Sequence, residues 1–248
     1  MKKKIFAANW KMNLGPTEAA SFIREFRKQW TPTDAEIAFF PSALAFAAVR
    51  DAAGDPRPFK LGVQNVYTMD SGAFTGENSA PMARDAGADY VLVGHSERRH
   101  VFGETDAECA AKCAVVERSG LTPLLCVGET LEERNAGHAR EVVTRQLREG
   151  LSKLDQVERA TSVLAYEPVW CIGSGKHATP ADASEIHGVL RMVLRSLVGE
   201  KAESVSILYG GSVSPDNATE LLAARDVDGL LVGGASLKVD SWLSICAS

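Results

Sequence analysis

No stretch of this sequence approaches the ~20 consecutive apolar residues that a membrane-spanning helix requires, so no membrane partner is expected. Cysteine is scarce. The five residues, Cys109, Cys113, Cys126, Cys171 and Cys246, are odd in number and scattered. They form no disulfide framework and suit free thiols in a reducing cytoplasm. Cys109 and Cys113 stand four apart with no histidine or third cysteine at zinc-finger spacing, so they read as small core residues. The five histidines are dispersed and no HExxH occurs, so no metal is expected. Positive charge is not in excess. The net charge is −5, and the only basic run, Lys2 to Lys4, is too short for a nucleic-acid patch. The apolar run behind it, Ile5 to Ala8, is too short for the core of a secretory signal. A dinucleotide fingerprint is also missing. Gly173-Ser174-Gly175-Lys176-His177-Ala178 has the form GxGxxG/A, but it does not directly follow a strand, and no acidic residue stands near Leu194 to hold a ribose. As a P-loop it fails because Trp170 and His177 occupy the places of the first glycine and the Ser/Thr. No cofactor is expected.

What the chain does have is a repeating alternation. Near-continuous apolar runs occur at Lys4–Asn9, Glu36–Phe40, Phe59–Gln64, Tyr90–Gly94, Thr122–Val127, Ser162–Glu167, Ser204–Tyr209 and Gly229–Val232. Such runs mark parallel strands covered on both faces. Helical patterns lie between them, most clearly at Thr17–Gln29, Glu104–Arg118, Ala139–Leu154 and Pro180–Val198. Thr179-Pro180 is a good N-cap and N1 pair, and Ser214-Pro215 repeats the signal before a shorter helix. The third unit is the weakest, with a long loop, Tyr67 to Ser79, before a short helix. Eight strand–helix units in 248 residues predict a (β/α)8 barrel, with eight parallel strands inside a ring of helices and residues 1–248 as one domain. An open doubly wound sheet is the alternative.

Barrel enzymes place their chemistry where strands end. Strand one ends on Asn9-Trp10-Lys11, strand four on Gly94-His95-Ser96-Glu97, and strand six on Glu167, followed at once by Pro168. Strands seven and eight run into Gly210-Gly211-Ser212 and Gly233-Gly234-Ala235-Ser236. Each has an ordinary reading: Lys11 as a snorkelling surface lysine, His95 as a hydrogen-bonded structural histidine, the Gly-Gly turns as tight connections. Together they suggest proton abstraction beside a carbonyl. Glu167 is the base, His95 donates to the carbonyl oxygen, and Lys11 offsets negative charge. The two Gly-Gly turns would hold a phosphate with backbone N–H groups. The glycine-punctuated loop after Glu167 reads as a mobile lid.

The motifs Asn9-Trp10-Lys11-Met12-Asn13, Gly72-Ala73-Phe74-Thr75-Gly76-Glu77, Gly94-His95-Ser96-Glu97-Arg98-Arg99, Cys126-Val127-Gly128-Glu129-Thr130, Ala165-Tyr166-Glu167-Pro168-Val169-Trp170 and Tyr209-Gly210-Gly211-Ser212-Val213 occur in this order over nearly the whole chain. In this the sequence closely resembles the triosephosphate isomerase family. The resemblance implies a TIM barrel that interconverts dihydroxyacetone phosphate and glyceraldehyde 3-phosphate, in the cytoplasm and without a cofactor. The pairing of a glutamate base with a neutral histidine is that family's established assignment. It implies Glu167 as base, His95 as electrophile and proton shuttle, and Asn9 and Lys11 as substrate-binding groups. It further implies backbone amides of Gly173, Ser212, Gly233 and Gly234 around the phosphate, supporting roles for Ser96, Glu97 and Cys126, and a lid from Pro168 to about Ala178. The loop Tyr67 to Ser79, with Phe74 and Thr75 near its tip, would be the arm of a homodimer. The lid departs from the family's usual Ala-Ile-Gly-Thr-Gly-Lys in Cys171 and Ser174, and His177 follows; Cys171 would be open to oxidation if exposed. Asn78-Ser79-Ala80-Pro81 departs from the common Ile-Ser-Pro-Ala order at the interface. A Schiff-base aldolase would need a lysine inside strands five to seven, where none occurs. A non-catalytic phosphate-binding barrel or scaffold protein remains as an alternative function.

Overall fold

A computed structural model describes residues 3–172 and 178–248. Eight parallel strands close on themselves in sequence order: β1 (Ile5–Asn9), β2 (Glu36–Phe40), β3 (Lys60–Val63), β4 (Tyr90–Val93), β5 (Thr122–Val127), β6 (Val163–Tyr166), β7 (Ile207–Tyr209) and β8 (Gly229–Val232). β1 pairs with both β2 and β8, with Ala7 level with Ala38 on one side and Leu231 on the other. That closure makes the fold a (β/α)8 TIM barrel and rules out the open sheet.

The strands are apolar along their length because each one feeds two cores. Alternate side chains, among them Ala7, Ala38, Phe40, Leu92, Leu124, Ala165 and Leu208, fill the barrel interior. Their neighbours, such as Phe39, Val91, Leu125, Leu164 and Leu230, pack outward against the helices. Space inside is tight. A Cβ on Gly62 would lie 2.1 Å from the Phe40 ring, so glycine is what lets that ring enter.

Most helices lie where the sequence places them, with informative shifts at their ends. Pro180–Val198 starts behind Thr179, whose side chain accepts from the Asp182 N–H in a capping box. The helix expected from Glu104 begins at Asp106, because Thr105 caps it with Glu108; Glu104 is left free to turn inward. The pattern Ala139–Leu154 is helical only to Gly150, and a separate helix, Gln156–Thr161, follows behind the Asp155 cap. Ser214-Pro215 opens a turn rather than a helix, with Asn217 at the N-cap of Ala218–Leu222. β7 starts three residues late because Gly199–Ser204 forms a 3-10 helix. Cys109 and Cys113 are buried on one helix, as expected of core residues.

Carboxylates tie the N-terminal ends of the strands together. Asp89, just before β4, accepts the Leu61 N–H of β3 at 2.9 Å and pairs with Arg57 and Lys60. Asp228, just before β8, repeats the device. It accepts the Ile207 N–H of β7 at 2.9 Å and pairs with buried Arg191 at 2.7 Å. Tyr90 donates to Glu36 beside them.

Candidate active site

The opposite, C-terminal rim surrounds a cavity of about 600 Å³ lined by Asn9, Lys11, His95, Glu167 and both Gly-Gly turns. Glu167 follows β6 and is 2% exposed. Its N–H donates to the Val127 carbonyl at 2.8 Å, carrying the β5–β6 ladder one step beyond the strand. Its carboxylate meets two donors: the Ser96 N–H reaches Oε2 at 2.8 Å, and His95 Nε2 lies 3.0 Å from Oε1. Cys126, fully buried, also contacts this carboxylate; burial first, then the Glu167 charge, pushes its thiol well above the usual range.

His95 caps the short helix Ser96–His100. Its Nδ1 accepts the Glu97 N–H at 3.2 Å. A nitrogen that accepts from an amide carries no proton, so the ring's hydrogen sits on Nε2, facing Glu167 and the cavity. Burial disfavours the imidazolium, but the Glu167 charge and hydrogen bond outweigh it and lift His95 above its ordinary value in this arrangement. Burial likewise opposes the Glu167 carboxylate. The charge and hydrogen bond of His95, then the Ser96 N–H and Lys11, hold it below the ordinary carboxylate range.

Lys11 has φ +52°, a left-handed conformation that costs a residue with a Cβ. Three contacts hold it there. The Asn9 side chain accepts the Lys11 N–H at 3.1 Å, Gln64 donates to the Lys11 carbonyl at 2.8 Å, and Glu97 pairs with Nζ at 2.7 Å. Gln64 also donates to the Phe40 carbonyl at 2.9 Å, tying this turn to the end of β2. Across the cavity the glycine turns are close-fitting. A Cβ on Gly210 would lie 3.0 Å from Glu167 Cγ, and one on Gly233 3.3 Å from Lys11 Cε.

The structure therefore brings together Asn9, Lys11, His95, Ser96, Glu97, Cys126, Glu167, Ser212, Gly233 and Gly234. Gly173, together with Ser174 and His177 of the expected lid, lies outside the described residues. Phe74 and Thr75 are exposed on their loop, away from the cavity lining. Cys171 is not an exposed thiol: it is fully covered, and burial pushes it up to about 11.

Residues that the sequence left without a role hold the frame. Buried Glu104 accepts the Gly94 N–H at 3.0 Å and is balanced by Lys112 and Arg98. Arg99 donates to the carbonyls of Gly94 and Cys126. Glu129, fully buried, accepts from Tyr166, Trp170 and Arg134, joining the end of β6 to the start of the following loop. Gln146 holds both polar groups of the Gly128 backbone. Arg98, Arg99 and Glu129 lay within the motifs of the resemblance, without a role assigned to them; Glu104 and Gln146 carried no signal beyond being polar residues in or beside a helical pattern.

Comparison with known proteins agrees with this geometry. Residues 4–248 match a family model described as triosephosphate isomerase. Among similar proteins is the triosephosphate isomerase of Moorella thermoacetica, 47% identical over 245 residues, which cover 99% of this chain and 98% of that protein. That of Bdellovibrio bacteriovorus is 47% identical over 99% of both chains. That of Marinobacter nauticus is 48% identical over 100% of this chain and 98% of its own.

Proposed function

The chain belongs to the triosephosphate isomerase family, and we propose that Glu167, His95, Lys11 and Asn9 carry the reaction. It is an isomerase that interconverts dihydroxyacetone phosphate and D-glyceraldehyde 3-phosphate, an aldose–ketose step of glycolysis and gluconeogenesis. The observation that supports these roles most is the contact of the Glu167 carboxylate with an imidazole whose proton is fixed on Nε2. Both Glu167 oxygens are engaged by donors, so the carboxylate must leave Ser96 and His95 and turn into the cavity to take a carbon-bound proton. His95 then donates Nε2–H to the substrate oxygen, stabilising the enediolate. Lys11 neutralises charge on substrate and intermediate, and Asn9 holds the Lys11 turn. The backbone at Ser212, Gly233 and Gly234 takes the phosphate, with Gly173 completing the set and the loop from Pro168 to about Ala178 excluding water. A phosphate-binding scaffold is not favoured, since it would have no need for Glu167, His95 and Lys11 on one rim.

The test is a coupled assay of glyceraldehyde 3-phosphate conversion to dihydroxyacetone phosphate. Fast turnover without added metal or cofactor is expected; a folded protein that turns over neither triose phosphate would overturn the assignment.

The same reading gives a homodimer in the cytoplasm. Phe74 packs at a tilt against Tyr67, with ring centroids 4.5 Å apart, and holds the exposed tip of the loop Tyr67 to Ser79 in shape. A second cavity, lined by Lys11, Met12, Phe46, Gln64 and Met82, opens beside the site, and Met12 is 95% exposed at its edge. A partner's loop seated there would bury that methionine and support Lys11. Light scattering should give twice the chain mass, and a monomer at assay concentration would count against the dimer.

A further inference from the structure

Beyond Val127 the chain runs on through Gly128 and Glu129 beside the base and the start of the following loop. Glu167 N–H donates to the Val127 carbonyl at 2.8 Å, and Val169 N–H donates to the Glu129 carbonyl at 3.1 Å. In a parallel ladder alternate residues face alternate neighbours. Val127 and Glu129 face β6, so Gly128 must find its partners on the other side. There β4 has already ended at Val93. Buried Gln146, on the helix Ala139–Gly150, fills the gap. Its Oε1 accepts the Gly128 N–H at 2.7 Å and its Nε2 donates to the Gly128 carbonyl at 3.2 Å. One side-chain amide thus stands in for the missing strand, satisfying both buried groups of a single residue. What it holds is pressed against the base: a Cβ on Gly128 would lie 1.7 Å from the Glu167 carbonyl oxygen, and only glycine fits there.

We propose that Gln146 is a positioning residue for the base, fixing through Gly128 the backbone from which the Glu167 side chain swings. The inference rests on Glu167 being the base. A leucine at 146 would fill similar space but leave the Gly128 N–H and C=O unpaired in the interior, freeing the 127–129 segment to shift. A shift of about 1 Å in a reacting group costs up to ~100-fold in rate. Substrate binding, made by the opposite wall of the cavity, would be little affected.

The experiment is steady-state kinetics of Gln146→Leu, alone and in a Glu167→Gln background, with Gln146→Glu measured across pH. Gln146→Leu should lower kcat about 10- to 100-fold with KM within about threefold. It should add nothing once Glu167→Gln has removed the carboxylate, since it acts only through that group. Gln146→Glu keeps the acceptor but loses the donor. Its ionised carboxylate would oppose the Gly128 carbonyl, and protonation would restore the pair, so its kcat relative to wild type should rise as pH falls. Unchanged kcat in Gln146→Leu, an equal further loss in the Glu167→Gln background, or a pH-independent ratio for Gln146→Glu would each overturn the proposal. Full turnover by Glu167→Gln alone would instead bring down the base assignment, and this inference with it.

Discussion

The two ends of the barrel use acidic and basic side chains to opposite purposes. At the N-terminal end, Asp89 and Asp228 each accept a strand N–H and hold a basic partner, so polar groups are paired within the fold. At the C-terminal end, the Glu167 carboxylate and the His95 imidazole are more deeply buried yet sit on the wall of an open cavity of about 600 Å³, and Lys11 is held with positive φ. A charge enclosed by its partners serves the fold alone; one paired on a cavity wall can exchange those partners for a ligand and contributes function. The difference lies in what each group faces, since the more deeply buried pair is the one on the cavity wall.

The sharpest way to break this comparison is to neutralise one rim carboxylate. Glu167→Gln should cut kcat by about 10²–10⁴-fold while lowering the thermal midpoint only modestly, because the amide keeps one acceptor for the two donors that hold the carboxylate. A large loss of stability with modest loss of rate would make Glu167 a structural residue like Asp228. The mirror experiment is Asp228→Asn, which weakens the Arg191 pair while keeping an acceptor for Ile207. It should cost about 1.5–3 kcal/mol, roughly 2–4 °C per kcal/mol in melting temperature, with kcat near wild type. A catalytic defect in a still-folded Asp228→Asn would show that the two ends are coupled.

The smallest expected effect concerns a buried group that belongs to neither end. His187 is fully buried, and its Nδ1 lies 2.9 Å from the Asp226 carbonyl. Burial pushes its pKa down from 6.5 to about 4. Between those values the unfolded chain binds a proton that the folded chain refuses, so stability is full above about pH 6.5 and falls as pH drops toward 4. At pH 5.5 this amounts to about 1 kcal/mol. Denaturant midpoints for His187→Gln should show less loss between pH 7 and 5.5 than wild type; an identical loss would assign the acid sensitivity elsewhere.

Much of this was legible in the chain. The apolar runs gave all eight strands, because a strand buried on both faces has no room for polar residues and announces itself without tertiary information. The rim residues were legible for a related reason: Asn9, Lys11, His95 and Glu167 interrupt the pattern where strands end. Less legible were element ends. Ser214-Pro215 carries a good local start signal, yet the segment first closes a turn in which Asn217 accepts the Ser214 N–H, and the helix begins only after Asn217. Glu104 looked like the first residue of a helix but turns back to accept the N–H of Gly94, the residue before His95. Oxidation of Cys171 was expected only if the residue were exposed with the lid open, and in this structure packing around its 3-10 turn covers it.

The sequence by itself determined the strand–helix alternation, the barrel that follows from it, and which residues stand at the rim, because these depend on periodicity and local order along the chain. Only the tertiary structure decided which nitrogen of His95 carries the proton, what holds Lys11 at positive φ, and that Gln146 serves as a strand for Gly128. Each of those rests on a contact between residues far apart in the chain or on a hydrogen bond's direction. Neither is encoded in residue spacing, and both exist only once the barrel has closed.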